Sequence, residues 1–166
     1  MTLQVENVTG GYTQLPVLKN IDFSIADGEL VGLIGLNGAG KSTTIKEIIG
    51  LLQPHTGKIT INGLSLKEDP QAYRKQIGYI PETPSLYEEL TLKEHIEVTA
   101  MAYDIPKDVA LQRAERLLKT FRLENKLDWF PANFSKGMKQ KVMVLCAFLI
   151  EPSSYIIDEP FLGLDP

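Results

Sequence analysis

Hydrophobic and polar positions change their period several times along the chain. Over Leu3–Thr9 and Asn20–Ile25 they alternate, with Ile21, Phe23 and Ile25 on one face, which predicts two half-buried strands. Ala26-Asp-Gly-Glu29 turns the chain into Leu30-Val-Gly-Leu-Ile34, whose unbroken apolar character predicts a short buried strand. Spacing becomes helical over Ser42–Ile49 and stops at Gly50. Lys58–Gly63 and Gln76–Ile80 predict two more strands. From Thr91 to about Arg122 the pattern is helical again, opened by Thr91-Leu-Lys-Glu94, which reads as a capping box. Leu92, Ile96, Ala100 and Tyr103 share one face of that stretch, and Ala110, Ala114, Leu117 and Phe121 share another. Val142–Ile150 is apolar all round, as a helix buried in a core is. Tyr155-Ile-Ile157 follows as an apolar run that ends on Asp158 and Glu159, kept short by the polar Ser154 before it.

Candidate chemistry sits where these elements join. Gly35-Leu-Asn-Gly-Ala-Gly40-Lys41-Ser42 fits the phosphate-binding pattern G-x-x-x-x-G-K-[ST], between a predicted strand and a predicted helix. Glycines let such a loop bend until successive N–H groups face one concavity, and the positive end of the next helix adds to the attraction for phosphate. Lys41 is then placed for the β- and γ-phosphates and the Ser42 hydroxyl for Mg²⁺. At the other end of the chain, Asp158 closes a strand expected to be buried and parallel, the position at which open α/β sheets hold their ligands. It is the candidate acid for the magnesium shell, and Glu159, one residue nearer the mouth, is the candidate for polarising the attacking water.

A third motif, Asn133-Phe134-Ser135-Lys136-Gly137-Met138-Lys139-Gln140, precedes the apolar helix. Phosphate loop, serine-glycine motif, Asp-Glu strand end and the Gly163-Leu-Asp165-Pro166 turn, in that order, resemble the nucleotide-binding subunit of an ABC transporter, and within that family the bacterial Ecs-type exporter group. The resemblance covers essentially the whole chain. It implies an α/β fold of the P-loop NTPase type with a parallel core sheet, an antiparallel β subdomain and a helical insertion at about residues 83–135 that docks on a membrane subunit. It also implies two such subunits paired head to tail, identical or different, each ATP lying between the phosphate loop of one and the serine-glycine motif of the other.

Carried onto this sequence, the resemblance gives Asn37, Gly38, Ala39, Gly40, Lys41, Ser42 and Thr43 to the nucleotide, and Tyr12 to stacking on its adenine. Ser135 and Gly137 face the partner's ATP; serine also commonly opens a helix, and both roles are compatible. Ser42 and Asp158 hold Mg²⁺, together with Glu82, which stands where the family has glutamine; Glu159 and Lys41 carry the catalysis. Asp165 reads the partner across the dimer. The usual Leu-Ser-Gly-Gly-Gln is Phe134-Ser135-Lys136-Gly137-Met138 here, so the serine and second glycine are kept while the first glycine and the glutamine are not. The family also places a γ-phosphate histidine on a strand beyond the Asp165 turn. This sequence stops at Pro166, and its histidines, His55 in a turn and His95 on a helical stretch, are expected at the surface or in turns. The carboxyl-terminal part is therefore expected to be absent, and the chain as it stands to be a weak catalyst.

Composition adds bounds. A chain of 166 residues can bury a sizeable core. Net charge is −4 without a basic stripe, which argues against nucleic acid. The single cysteine, Cys146, excludes an internal disulfide and suits a reducing compartment. Met-Thr-Leu-Gln-Val-Glu has no signal-peptide pattern, and no apolar run approaches the roughly twenty residues of a membrane span. Membrane contact is thus expected through a partner, which the resemblance implies is an integral permease, with the chain on the cytoplasmic face. Two other functions share these motifs: a soluble ATPase of the same superfamily acting on ribosomes or DNA, and a nucleotide sensor without turnover.

Overall fold

Alternation in the first third of the chain becomes an antiparallel sheet. The computed structural model describes residues 3–159, and the chain divides into two compact units, Met1–Ile77 and Gly78–Pro166. In the first, strands β1 (Leu3–Gly10), β2 (Leu18–Ile25), β3 (Thr56–Ile61) and β4 (Leu64–Ser65) form one sheet in the order β2-β1-β3-β4. Central β1 is antiparallel to both neighbours, Leu3 lying opposite Ile25 on one side and Ile61 on the other.

An irregularity in β1 explains its burial. Leu3, Val5 and Val8 are all buried, although strict alternation would send Val8 to the face opposite Val5. The register shifts between Val5 and Val8, and Asn7 takes φ 49, so one extra residue resets the phase. Gly57 lies against this irregularity with φ +92, and a Cβ there would fall 2.5 Å from the Asn7 carbonyl oxygen. Only glycine fits that place.

Two helices complete the first unit, α1 (Lys41–Ile48) and α2 (Pro70–Lys75). Asp69 caps α2 by accepting from the N–H groups of Gln71 and Ala72, and Pro70 occupies the first turn, where no N–H is needed. From α2 the buried Tyr73 donates its hydroxyl to the Ile48 carbonyl at 2.7 Å, satisfying an oxygen at the end of α1. Burial pushes the Tyr73 phenol up to about 12.

In the second unit α3 (Leu92–Ala102), α4 (Lys107–Phe121) and α5 (Lys136–Ile150) share a core built from Leu92, Ile96, Ala114, Leu118, Val142 and Leu145. The capping box is formed: Thr91 Oγ1 accepts from Glu94 N while Glu94 accepts from Thr91 N. The first N–H groups of α3 find the carbonyls of Trp129 and Leu127, at 3.0 and 2.9 Å. The predicted helical stretch is two helices, because Asp104 turns left-handed at φ 53 and Pro106 then starts a new helix. Strand β5 (Ile77–Ile80) pairs in parallel with β6 (Ser154–Ile157) as a separate two-stranded sheet.

Two expectations about strands are corrected. Leu30–Ile34 is not a strand and is not buried: Leu30 is 98 % and Ile34 94 % exposed. An apolar run becomes a strand only by pairing its backbone, and neither sheet among the described residues includes it. β6 forms where expected but is not buried on both faces, since Tyr155 and Ile157 stay 40 % exposed. Its partner β5 lies alongside it and covers neither face.

Candidate functional site

The glycine loop runs straight into α1. Ala39 N donates to the Leu36 carbonyl at 3.1 Å, Gly38 takes φ +82, and Gly40, at φ +95, is the residue from which α1 starts. A Cβ on Gly40 would fall 2.6 Å from Leu18 Cδ2, so both its conformation and its space require glycine. No side chain caps α1. Its first-turn N–H groups are thereby left to water or a ligand, and the helix dipole makes that ligand an anion. Asn37, Gly38 and Ala39 are exposed along the loop, as is the hydroxyl-bearing Ser42; Thr43 is buried.

Lys41 folds back into its own loop. Its ammonium donates to the carbonyls of Gly35 and Leu36, at 2.8 and 3.0 Å. Both acceptors are neutral, so these two bonds leave the positive charge uncompensated, which suits it to a polyphosphate.

Tyr12 stands on the loop between β1 and β2, closed where Val17 N donates to the Gly10 carbonyl at 2.8 Å. The ring is 58 % exposed and lies beside α1, where Lys46 Nζ reaches its hydroxyl at 3.0 Å. That ammonium, bonded to the phenol, holds the Tyr12 pKa below the ordinary tyrosine range, with help from a hydrogen bond to Thr43. The first unit thus brings the base-stacking candidate alongside the short helix that starts at the phosphate loop.

The remaining candidates lie in the second unit. Asp158 follows β6 directly, and its N–H donates to the Ile80 carbonyl of β5 at 2.9 Å. Glu82 stands two residues beyond Ile80 and is exposed, so Glu82 and Asp158 leave the same end of the strand pair. Glu159 is exposed with φ 51, a left-handed turn at the strand mouth. Gln140, on α5, is buried and directs Nε2 to the Pro81 carbonyl at 3.5 Å. Ser135 caps α5, its Oγ accepting from Met138 N at 3.2 Å, and Gly137 sits half-buried in the first turn. Gly163 and Asp165 lie outside the described residues.

One candidate role is corrected. His95 is not a surface residue: it is buried, with Nδ1 2.8 Å from the Thr91 carbonyl and Nε2 accepting from Tyr87 N at 3.0 Å. It fastens the loop that follows Glu82 to α3. The periodicity already held a signal, since His95 falls three residues after the core residue Leu92, on the same helix face. His55 is exposed in its turn, as expected. Sequence reasoning also passed over Lys46 and Glu47, both on α1. Glu47 is buried with neither carboxylate oxygen hydrogen-bonded, and desolvation raises its pKa while the charge of His55 opposes the rise.

No group of three His, Cys, Asp or Glu side chains converges among the described residues. Each of the magnesium candidates, Ser42 in the first unit and Glu82 and Asp158 in the second, offers an oxygen donor of the kind a hard divalent cation takes.

Comparison with known proteins bears on these observations. A family model described as ABC transporter matches residues 18–162. The ABC-type transporter ATP-binding protein EcsA of Bacillus subtilis (strain 168) is 65% identical over 164 residues, covering 99% of this chain and 66% of that protein. A solved ATP-binding subunit of an ABC transporter matches with a TM-score of 0.97 at 60% identity, over 100% of this chain and 69% of that one. The dimeric post-hydrolysis structure of the ATP-binding cassette MJ0796, bound to ADP and Pi, gives 0.83 at 28% identity, over 98% and 76% of the two chains. The sequence thus spans about two thirds of the length of EcsA and of that solved ATP-binding subunit.

Proposed function

The chain belongs to the ABC transporter ATP-binding family, and from that premise we propose that it is the ATP-hydrolysing subunit of a membrane transporter of the exporter type. The observation that carries the reading is the uncapped start of α1 beneath a glycine loop that holds the Lys41 ammonium. That arrangement binds a polyphosphate through backbone N–H groups and one fixed cation.

In this reading Asn37–Thr43 hold the triphosphate and Tyr12 stacks on the adenine. Ser42 and Asp158 are the Mg²⁺ ligands, with Glu82 as a further oxygen donor. The cation, once bound, offsets negative charge on the transferring phosphoryl group. Lys41 adds to that stabilisation and Glu159 polarises the water. Ser135 and Gly137 of a second subunit close on the γ-phosphate, where the start of α5 adds its dipole. ATP thereby draws two subunits together, and hydrolysis lets them part. The helical stretch at about residues 83–135 is the surface for the permease. No helix among the described residues is long and apolar enough to cross a membrane, so attachment to the inner face of the cell membrane runs through that partner.

Calorimetric titration with ATP and magnesium, beside Lys41→Ala, tests the reading. Saturable binding that the substitution weakens at least tenfold supports it. Equal affinity in the two chains sinks the assignment of the loop.

A further inference from the structure

Lys46 belongs to no motif, yet it makes the most specific contact with the exposed ring of Tyr12. Its ammonium lies 3.0 Å from the hydroxyl and 5.2 Å from the ring centroid, so it meets the phenol at its oxygen and reaches the edge of the cation–π range. Tyr12 itself stands on a loop closed by a backbone hydrogen bond from Val17 N to Gly10 O. Gly11 leaves the loop little room to shift, since a Cβ there would fall 2.9 Å from Val17 N.

We propose that Lys46 is the positioning residue of the base-stacking platform, holding Tyr12 against α1 so that its ring stands at a fixed distance from the phosphate loop. This rests on the nucleotide-binding reading. The physical argument concerns what binding has to order. An exposed tyrosine on a loop samples several rotamers, and stacking a base on it costs the freedom it loses. Anchoring the hydroxyl at one end leaves the face available while removing that freedom beforehand. Because Lys46 lies on α1 and the phosphate loop runs straight into that helix, the platform and the phosphate contacts keep one spacing. Lys46 therefore favours ligands that carry both a base and a polyphosphate.

The test compares ATP with inorganic tripolyphosphate, which offers the charge without the base. Lys46→Met is expected to weaken ATP about fivefold, roughly 1 kcal/mol, and to leave tripolyphosphate unchanged. Lys46→Arg restores the donor and the affinity. Tyr12→Phe removes the hydroxyl and produces the same loss, and combining it with Lys46→Met adds nothing further. Unchanged ATP affinity in Lys46→Met, or an equal loss for tripolyphosphate, overturns the proposal; the latter would make Lys46 a phosphate contact. Spectrophotometric titration reads the anchor without nucleotide. Of the six tyrosines, one should ionise earlier than in Lys46→Met, and identical curves overturn the anchor. A chain that shows the early phenol yet binds no ATP defeats the nucleotide reading instead and leaves the anchor intact.

Discussion

Arg113 Nη2 meets Glu151 Oε2 at 2.7 Å, while the same guanidinium donates Nη1 to the Leu149 carbonyl at 3.0 Å. Glu151 is the left-handed residue on which α5 ends, with φ 51, so one side chain of α4 both caps α5 and holds the residue that leads into β6. The end of β6 carries Asp158. The ion pair itself is half-exposed on the Glu151 side, and such pairs contribute little; the charged donor on a helix-end carbonyl contributes more.

Arg113→Met should accordingly cost about 1–2 kcal/mol, read as a lower urea midpoint. Glu151→Gln should cost only a few tenths of a kcal/mol. A larger loss in Glu151→Gln than in Arg113→Met would show that the ion pair, and not the cap, holds the end of the helix.

Tyr73→Phe leaves the Ile48 carbonyl without its partner at the end of α1, and should cost about 1–3 kcal/mol in urea denaturation. The alkaline side of the stability profile should change as well. The native phenol ionises at about 12 against an ordinary 10.0, so the unfolded chain loses its proton first and stability falls as pH rises through that window. Tyr73→Phe should be flatter there, with Tyr103 and Tyr155, also raised by burial, supplying the remaining slope.

Glu47 should be a liability at neutral pH. Its carboxyl is raised by burial, so as pH rises the native chain gives up this proton later than the unfolded chain does. That contribution is complete below the ordinary value of 4.5 and disappears as pH rises through the native value. Glu47→Met should raise stability by about 1 kcal/mol at pH 8, and the gain should shrink toward pH 4. A Cβ on Gly10 would overlap the Glu47 carboxylate. Gly10→Ala should therefore destabilise the parent chain more than the Glu47→Met chain, a coupling that a double-mutant cycle measures.

Ser135 has a cap to lose and, in the proposed function, a contact with the partner's ATP. Ser135→Ala should cost about 1 kcal/mol. Ser135→Asp keeps a side-chain acceptor for Met138 N and should hold the stability, while its carboxylate repels a triphosphate. Light scattering with ATP, on chains that also carry Glu159→Gln to slow turnover, should then show a dimer for Ser135 and none for Ser135→Asp. A dimer in both would confine Ser135 to capping.

The fold was legible where local chemistry decides it. The capping box at Thr91 and Glu94, the serine cap of α5 and the glycines of the phosphate loop are each set by a few neighbouring residues, and each forms as the sequence indicates. The short α2 went unpredicted although Asp69-Pro70 is a helix start, because its six residues are too few to show a period. Leu30–Ile34 failed for the opposite reason: its composition suits a strand, but strands are made by partners that composition does not name.

The same division holds for the candidate site. The sequence by itself determined the family and marked the loop as the phosphate candidate, because a phosphate cradle is built from consecutive backbone groups and needs its glycines and lysine at fixed spacing. Only the tertiary structure decided that Lys46 reaches Tyr12, that His95 is a buried fastening and that Glu47 is buried without a partner. Those roles depend on which side chains meet after the chain has turned back on itself. A lysine, a histidine and a glutamate on helices read as solvated until packing places something against them.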